Sequence, residues 1–181
     1  MRRIKITFGF YAMVCLLAWL DHLFCLRFLL CMLCHELGHL LALKLCRVRV
    51  ERIRLTAAGA VIGTSCLSYK TELLCAAAGP LAGIVLGLSL IRVLPQTAVV
   101  SFLLSLVNLL PVFPLDGGRL LRAGLSLCCT EKNVTATMRI VTAIVCSVLM
   151  LLACWGAVCL QMGLWPIFAA LVLLCRVADR E

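Results

Sequence analysis

Apolar runs dominate this chain and are incompatible with a soluble core. Six of them, at roughly 6–20, 23–46, 71–94, 97–118, 138–160 and 163–175, are separated by short stretches that hold most of the charge. About 20 predominantly apolar residues cross a bilayer core as a helix, so most of these runs are of spanning size; the first and last are short, and the fourth ends in prolines. Of the 181 residues, 64% are hydrophobic and 14% charged, against about 45–50% apolar content in soluble domains. The pattern predicts an all-α polytopic membrane protein of about six transmembrane helices, built as a single domain over 1–181.

The formal net charge of +9 does not indicate nucleic acid, because the basic residues do not form one face. They fall between the apolar runs, where topology-setting charges belong. With the N-terminus inside, all but two of the 17 Lys and Arg, the exceptions being Arg27 and Arg92, lie on the cytoplasmic side. That asymmetry predicts a multi-pass protein of the bacterial cell membrane with both termini cytoplasmic. The start, MRRIKITFGFYAMVCLLAWL, has a basic head and an apolar run but is followed by Asp21, His22, Leu23 and Phe24 rather than a small-residue cleavage site, so an uncleaved first helix is expected. The 13 cysteines show no paired framework and read as small buried hydrophobes.

One stretch departs from the helical pattern. Residues 47–55, RVRVERIRL, alternate charged and branched apolar side chains, the period of a strand, and Gly59 and Gly63 interrupt the residues beyond it. A small β-hairpin or sheet is expected after the second helix, at the membrane surface, where its basic side chains would meet anionic lipid.

The second apolar run holds the chemistry. His35-Glu36-Leu37-Gly38-His39 is H-E-x-x-H. On a helix, positions i and i+4 share a face, so both imidazoles can converge on one zinc ion while Glu36, about 100° round, flanks the metal as a general base. With the His and Glu content of this chain, chance produces the pattern on the order of one time in a thousand, and ionisable residues inside a membrane are costly enough to imply function. Catalytic zinc takes three protein ligands and a water. His22 stands in an expected external loop. Cys31 shares the helix face but lies about 12 Å from His39 along the axis. Asp116, in NLLPVFPLDGGRLL at 108–121, follows a long apolar run beside Pro114 and Gly117-Gly118. A solvated loop would accommodate it, but the unfilled coordination site favours Asp116 as third ligand. Asn108, an amide in the same span, suits either hydrogen bonding to substrate or interhelical contact. The small-residue run CAAAGPLAG, 75–83, is explained by close helix packing.

HELGH at 35–39, AAAGPLAG at 76–83 and NLLPVFPLDGG at 108–118 together resemble the site-2 protease family of intramembrane zinc metalloproteases, peptidase family M50. The resemblance implies zinc as cofactor, His35, His39 and Asp116 as its ligands, Glu36 as the catalytic glutamate, and Asn108 as the asparagine ahead of the LDG motif. It implies a membrane-embedded or membrane-associated protein substrate, the lipid bilayer as medium, and membrane inhibitor proteins as further partners. Six spans, a basic hairpin after the second helix and no inserted PDZ domain resemble the stage IV sporulation protein FB subgroup, whose members process a sporulation pro-sigma factor. Two departures are the absence of that subgroup's C-terminal CBS domain, the chain ending CRVADRE, and Ala58-Gly59-Ala60 where a glycine pair is expected.

The reading is an intramembrane zinc metalloendopeptidase. Rival readings are a site-2 protease acting on an anti-sigma factor, a membrane zincin with a downstream glutamate ligand (no Glu lies in a later apolar run), and a non-catalytic zinc-binding membrane regulator. The charge asymmetry makes a prediction of its own: a topology reporter fused after Glu181 reads cytoplasmic and one inserted near Gln96 reads external. The opposite labelling would put the basic hairpin on the wrong side.

Overall fold

The computed structural model describes residues 3–56, 59–64 and 67–159. The expected sixth run, 163–175, and Ala58 of the hairpin lie outside the described residues. The chain divides into two compact units, Met1–Asn108 and Leu109–Glu181.

In the first unit, α1 (Phe8–Leu20) and α2 (His22–Leu45) form a helical hairpin. Asp21 is its hinge. The Asp21 N–H closes α1 on the Leu17 carbonyl at 2.9 Å, and its Oδ1 accepts from the N–H groups of Leu23 at 2.8 Å and Phe24 at 3.1 Å, capping α2. The bond from Phe24, helped by that from Leu23 and by the nearby His22 and Arg27, holds the Asp21 carboxyl below its usual range. At its other end α2 stops in a left-handed turn: Arg47 takes φ 55°, and the Val48 N–H returns to the Leu43 carbonyl at 2.9 Å, a Schellman closure made without its usual glycine.

Three strands extend from these helix ends. β1 (Arg3–Ile6), β2 (Val50–Thr56) and β3 (Gly59–Thr64) form a sheet in the order β1-β2-β3. β2 and β3 are the expected hairpin, antiparallel with Ile53 opposite Ile62 and Arg54 opposite Val61, and with a bulge between Val50 and Arg52. β1 is an addition. It runs parallel to β2, Lys5 beside Arg54 and Ile6 beside Leu55, and the N–H and Oγ1 of Thr7 both donate to the Leu55 carbonyl, at 2.9 and 3.0 Å.

α3 (Tyr69–Leu90), capped by Ser68 through the Thr71 N–H at 3.3 Å, continues through Pro80, and α4 (Pro95–Asn108) returns. Helices α2, α3 and α4 pack mutually, and, Leu43 apart, most of the residues they bury are small or polar: Cys31, His35 and His39 on α2, Gly79, Gly83 and Gly87 on α3, Thr97, Ser101 and Ser105 on α4. The Ser101 Oγ donates to the Gly83 carbonyl at 2.7 Å and the Cys31 Sγ to the Thr97 carbonyl at 3.6 Å. Leu26, Leu30, Leu33, Leu37 and Leu41 of α2 are exposed. A helix with polar groups inside and a leucine stripe outside is soluble in lipid, not in water.

In the second unit the segment 109–115 precedes α5 (Asp116–Ser126), which packs on α6 (Glu131–Cys159). The expected span at 97–118 is therefore not one element: α4 ends at Asn108 and Asp116 opens a new helix. Pro111 and Pro114 lack the N–H that would continue a helix. Three described helices are long and apolar enough to cross a membrane: His22–Leu45, Tyr69–Leu90 and Glu131–Ala157. Phe8–Leu20 and Pro95–Asn108 are apolar but shorter, about 20 Å each.

Closeness of α2 to α3 rests on Gly38, where a Cβ would come 2.5 Å from the Ala78 carbonyl oxygen and 2.7 Å from the Ala82 Cβ. Gly38→Ala should destabilise the protein by about 1–3 kcal/mol, read as a lowered unfolding midpoint in detergent. An unchanged midpoint would show that the seam has slack.

Candidate metal centre

His35 and His39 stand one turn apart on the inner face of α2, 4% and 7% exposed. Their Nε2 atoms are 3.2 Å apart and their rings meet edge to face at 82°. Two nitrogens bound to one tetrahedral zinc at about 2.0–2.1 Å lie about 3.3 Å from each other, so the pair is spaced as ligands are. The tautomer of His39 is set by its other nitrogen. Nδ1 lies 2.7 Å from the Cys75 carbonyl oxygen. A carbonyl only accepts, so Nδ1 carries the proton and Nε2 presents its lone pair inward.

Helix α3 makes room for this ring. A Cβ at Gly79 would overlap Nε2, Cε1 and Cδ2 of His39. The imidazole therefore lies flat against the Gly79 backbone while the carbonyl one turn earlier holds its proton. Cys75 and Gly79 have no metal role on sequence grounds, where packing explains the whole motif. A backbone carbonyl and a missing Cβ leave no chemical trace in a sequence, although glycine one turn after Cys75 fits the pattern once seen.

Asp116 is the first residue of α5 and 8% exposed. The loop before it folds back onto the helix start: Leu115 N–H donates to the Val112 carbonyl at 2.9 Å, and Val112 is fully buried. A Cβ at Gly117 would overlap the Leu109 carbonyl, and one at Gly118 would come 2.5 Å from the Phe113 nitrogen. Both glycines of the DGG triplet thus exist for backbone contact. Arg119, one turn on, places Nη1 3.6 Å from Asp116 Oδ1, which favours the ionised carboxylate.

The three expected ligands are each buried within their own unit, His35 and His39 in the first and Asp116 in the second. Two imidazoles and a carboxylate are a donor set that fits zinc with a fourth position open. His22 begins α2, about 20 Å along the axis from His35, and Cys31 is engaged with α4; neither joins the group. Glu36, half-buried, faces the sheet: its Oε1 lies 3.2 Å from where a Cβ on Gly59 would be. Gly59 takes φ 111°, which L residues rarely adopt, and its carbonyl accepts from the Thr56 Oγ1 at 2.9 Å. Asn108, the last residue of α4, turns its Nδ2 to the Leu104 carbonyl at 2.9 Å, a bond within its own helix rather than between helices. The described thiols form no disulfide.

A buried His-His pair on an apolar helix, with a glutamate beside it, defines a candidate metal centre of the H-E-x-x-H class. Comparison with known proteins narrows this. Residues 8–116 match the family described as Peptidase M50B-like and residues 88–152 that described as Peptidase family M50. The chain belongs to the M50 peptidases, the site-2 protease family. It is similar to a zinc metalloprotease of Methanocaldococcus jannaschii, 36% identical over 105 residues, which covers 51% of this chain and 31% of that protein. It is similar also to Rip3 of Mycobacterium tuberculosis, 36% identical over 110 residues, covering 51% of this chain and 28% of that protein. The alignments thus span about a third of these curated relatives. Among solved structures, the site-2 protease from Methanocaldococcus jannaschii superposes with a TM-score of 0.71 at 26% identity, covering 98% of this chain and 89% of that one.

Gly79→Ala should displace the His39 ring and weaken zinc retention by roughly 10–100-fold, the range for lost support behind a metal ligand, while Asp116→Ala should weaken it further. Zinc content measured against a graded chelator checks both. Parent-like retention in Asp116→Ala would remove Asp116 from the ligand set.

Proposed function

We propose that this chain is an intramembrane zinc metalloendopeptidase, a single catalytic domain over 1–181 that cleaves a membrane-embedded or membrane-associated protein. The observation that carries the reading is the buried His35 and His39 pair, Nε2 atoms 3.2 Å apart, with Glu36 beside it on the same helix, in a chain of the M50 family. His35, His39 and Asp116 hold the metal. When bound, zinc supplies Lewis-acid polarisation of the scissile carbonyl and acidifies water at the site. Glu36 takes a proton from the attacking water and delivers it to the leaving amine nitrogen, one carboxylate serving as base and then acid. The proton on His39 Nδ1 stays with the Cys75 carbonyl throughout, which keeps the ring oriented.

A helical peptide bond is shielded by its own hydrogen bonds, so the substrate must be extended where it is cut, and extended backbone in a membrane needs partners. β3 supplies them. It is the last strand of the sheet among the described residues, and its first residue, Gly59, lies against Glu36. A substrate strand added to this edge would bring its backbone to the base. Asn108, whose Nδ2 is engaged within α4, offers its carbonyl oxygen to a substrate N–H.

The basic sheet after the second helix supports a substrate of the sporulation pro-sigma class, as in the stage IV sporulation protein FB subgroup; an anti-sigma factor is the alternative. The multi-pass arrangement with cytoplasmic termini, and regulation by membrane inhibitor proteins, belong to the same proposal. A purely zinc-binding regulator would keep its function in Glu36→Gln. The expected result is the opposite: Glu36→Gln retains zinc and loses cleavage of a membrane-anchored substrate in proteoliposomes. In that inactive background, Val61→Cys should form disulfides with cysteines flanking the scissile bond. Cross-links confined to α1 would rule out strand addition at β3.

A further inference from the structure

The sheet has a second face, which substrate pairing at its edge does not use. Side chains alternate across a strand. Ile53, Leu55 and Ile62 lie on one side; Arg52, Arg54 and Lys5 lie on the other, with Lys5 beside Arg54 in the parallel register. All three cations are exposed, and among the described residues none is in an ion pair. Arg52 runs its stem across Gly63, where a Cβ would come 2.8 Å from Cγ. The one acidic residue of the three strands, Glu51, sits at the bulge. Like charges placed side by side in a sheet repel, so the face attracts anions.

Its position says which anion. β1 ends one residue before α1 begins at Phe8, β2 starts soon after α2 ends at Leu45, and β3 leads into α3 at Tyr69. Three apolar helices therefore end beside the sheet, at one level, and the residues at their ends are exposed apolar or aromatic side chains: Phe8 is 86% exposed, Leu45 74% and Tyr69 41%. Aromatic residues at helix ends mark the lipid headgroup layer. A cationic face at that level meets headgroup phosphates.

We propose that the Lys5, Arg52, Arg54 face binds anionic phospholipid headgroups and so holds the sheet at the membrane surface. The site is independent of the protease reading, because it needs neither zinc nor Glu36. The test uses the full chain as Glu36→Gln, reconstituted in vesicles of phosphatidylcholine and phosphatidylglycerol, with trace spin-labelled lipid of either headgroup. The immobilised fraction of each label gives the relative association constant. Each cation near the surface is worth about fivefold in attraction, so the parent should favour phosphatidylglycerol at least fivefold at low salt. Lys5→Gln/Arg52→Gln/Arg54→Gln should bring the preference close to unity with zinc content unchanged. The charge-conserving set Lys5→Arg/Arg52→Lys/Arg54→Lys should keep it, which separates charge from misfolding. No preference in the parent, or a preference that survives the triple Gln variant, would overturn the proposal. So would a triple Gln variant that keeps the lipid preference but loses binding of an acidic substrate segment in pure phosphatidylcholine, since the face would then read protein.

Discussion

The contact between the His39 imidazole and Gly79 is the constraint on which the first unit turns. It requires α2 and α3 to approach to backbone distance, which Gly38, facing Ala78 and Ala82, permits from the other helix. The same approach delivers the Cys75 carbonyl to Nδ1. Packing and ligand chemistry are thus one feature: the seam that lets the helices associate without a hydrophobic driving force also sets which nitrogen of the histidine can bind metal.

From that seam comes the inversion of the molecule. Small residues bring backbones together, backbones offer carbonyls, and carbonyls accept from Ser101, Cys31 and His39. These three side chains are satisfied inside, and a leucine stripe covers the outside of α2. In lipid the arrangement has no cost that water would impose, and it creates the low-dielectric interior in which a carboxylate such as Asp116 is stable chiefly beside a cation. Arg119 supplies part of that charge, and a metal held there would supply more.

Much of this was legible in the sequence, and for identifiable reasons. H-E-x-x-H announces itself because helical periodicity converts spacing into geometry, and Asp116 because an acid at the end of an apolar run needs a reason to be there. The hairpin shows as alternation in RVRVERIRL. Four other features do not show. Strand β1 is four residues long and its partner lies far along the chain, so RIKI reads only as topogenic charge. Pro111 and Pro114 do announce a break in the helical ladder before Asp116, but where α4 ends and α5 begins is not marked, because the continuous apolar character records burial in lipid and not the path of the backbone. The Gly79 and Cys75 contributions are a void and a main-chain oxygen, neither of which a side-chain pattern encodes. Gly59 stands out as an interruption, but its contact with Glu36 is a tertiary fact.

The parallel pairing of β1 with β2 carries a consequence for biogenesis. Parallel neighbours cannot be joined by a tight turn; the chain must leave and come back. Here the return journey is α1 out and α2 back, hinged at Asp21. β1 leaves the ribosome first and waits for a partner that emerges after both helices. Closure of the sheet therefore waits on the helical hairpin: β1 can flank β2, and the three-stranded sheet that holds β3 next to Glu36 can be complete, only once α1 and α2 have formed and folded back on each other.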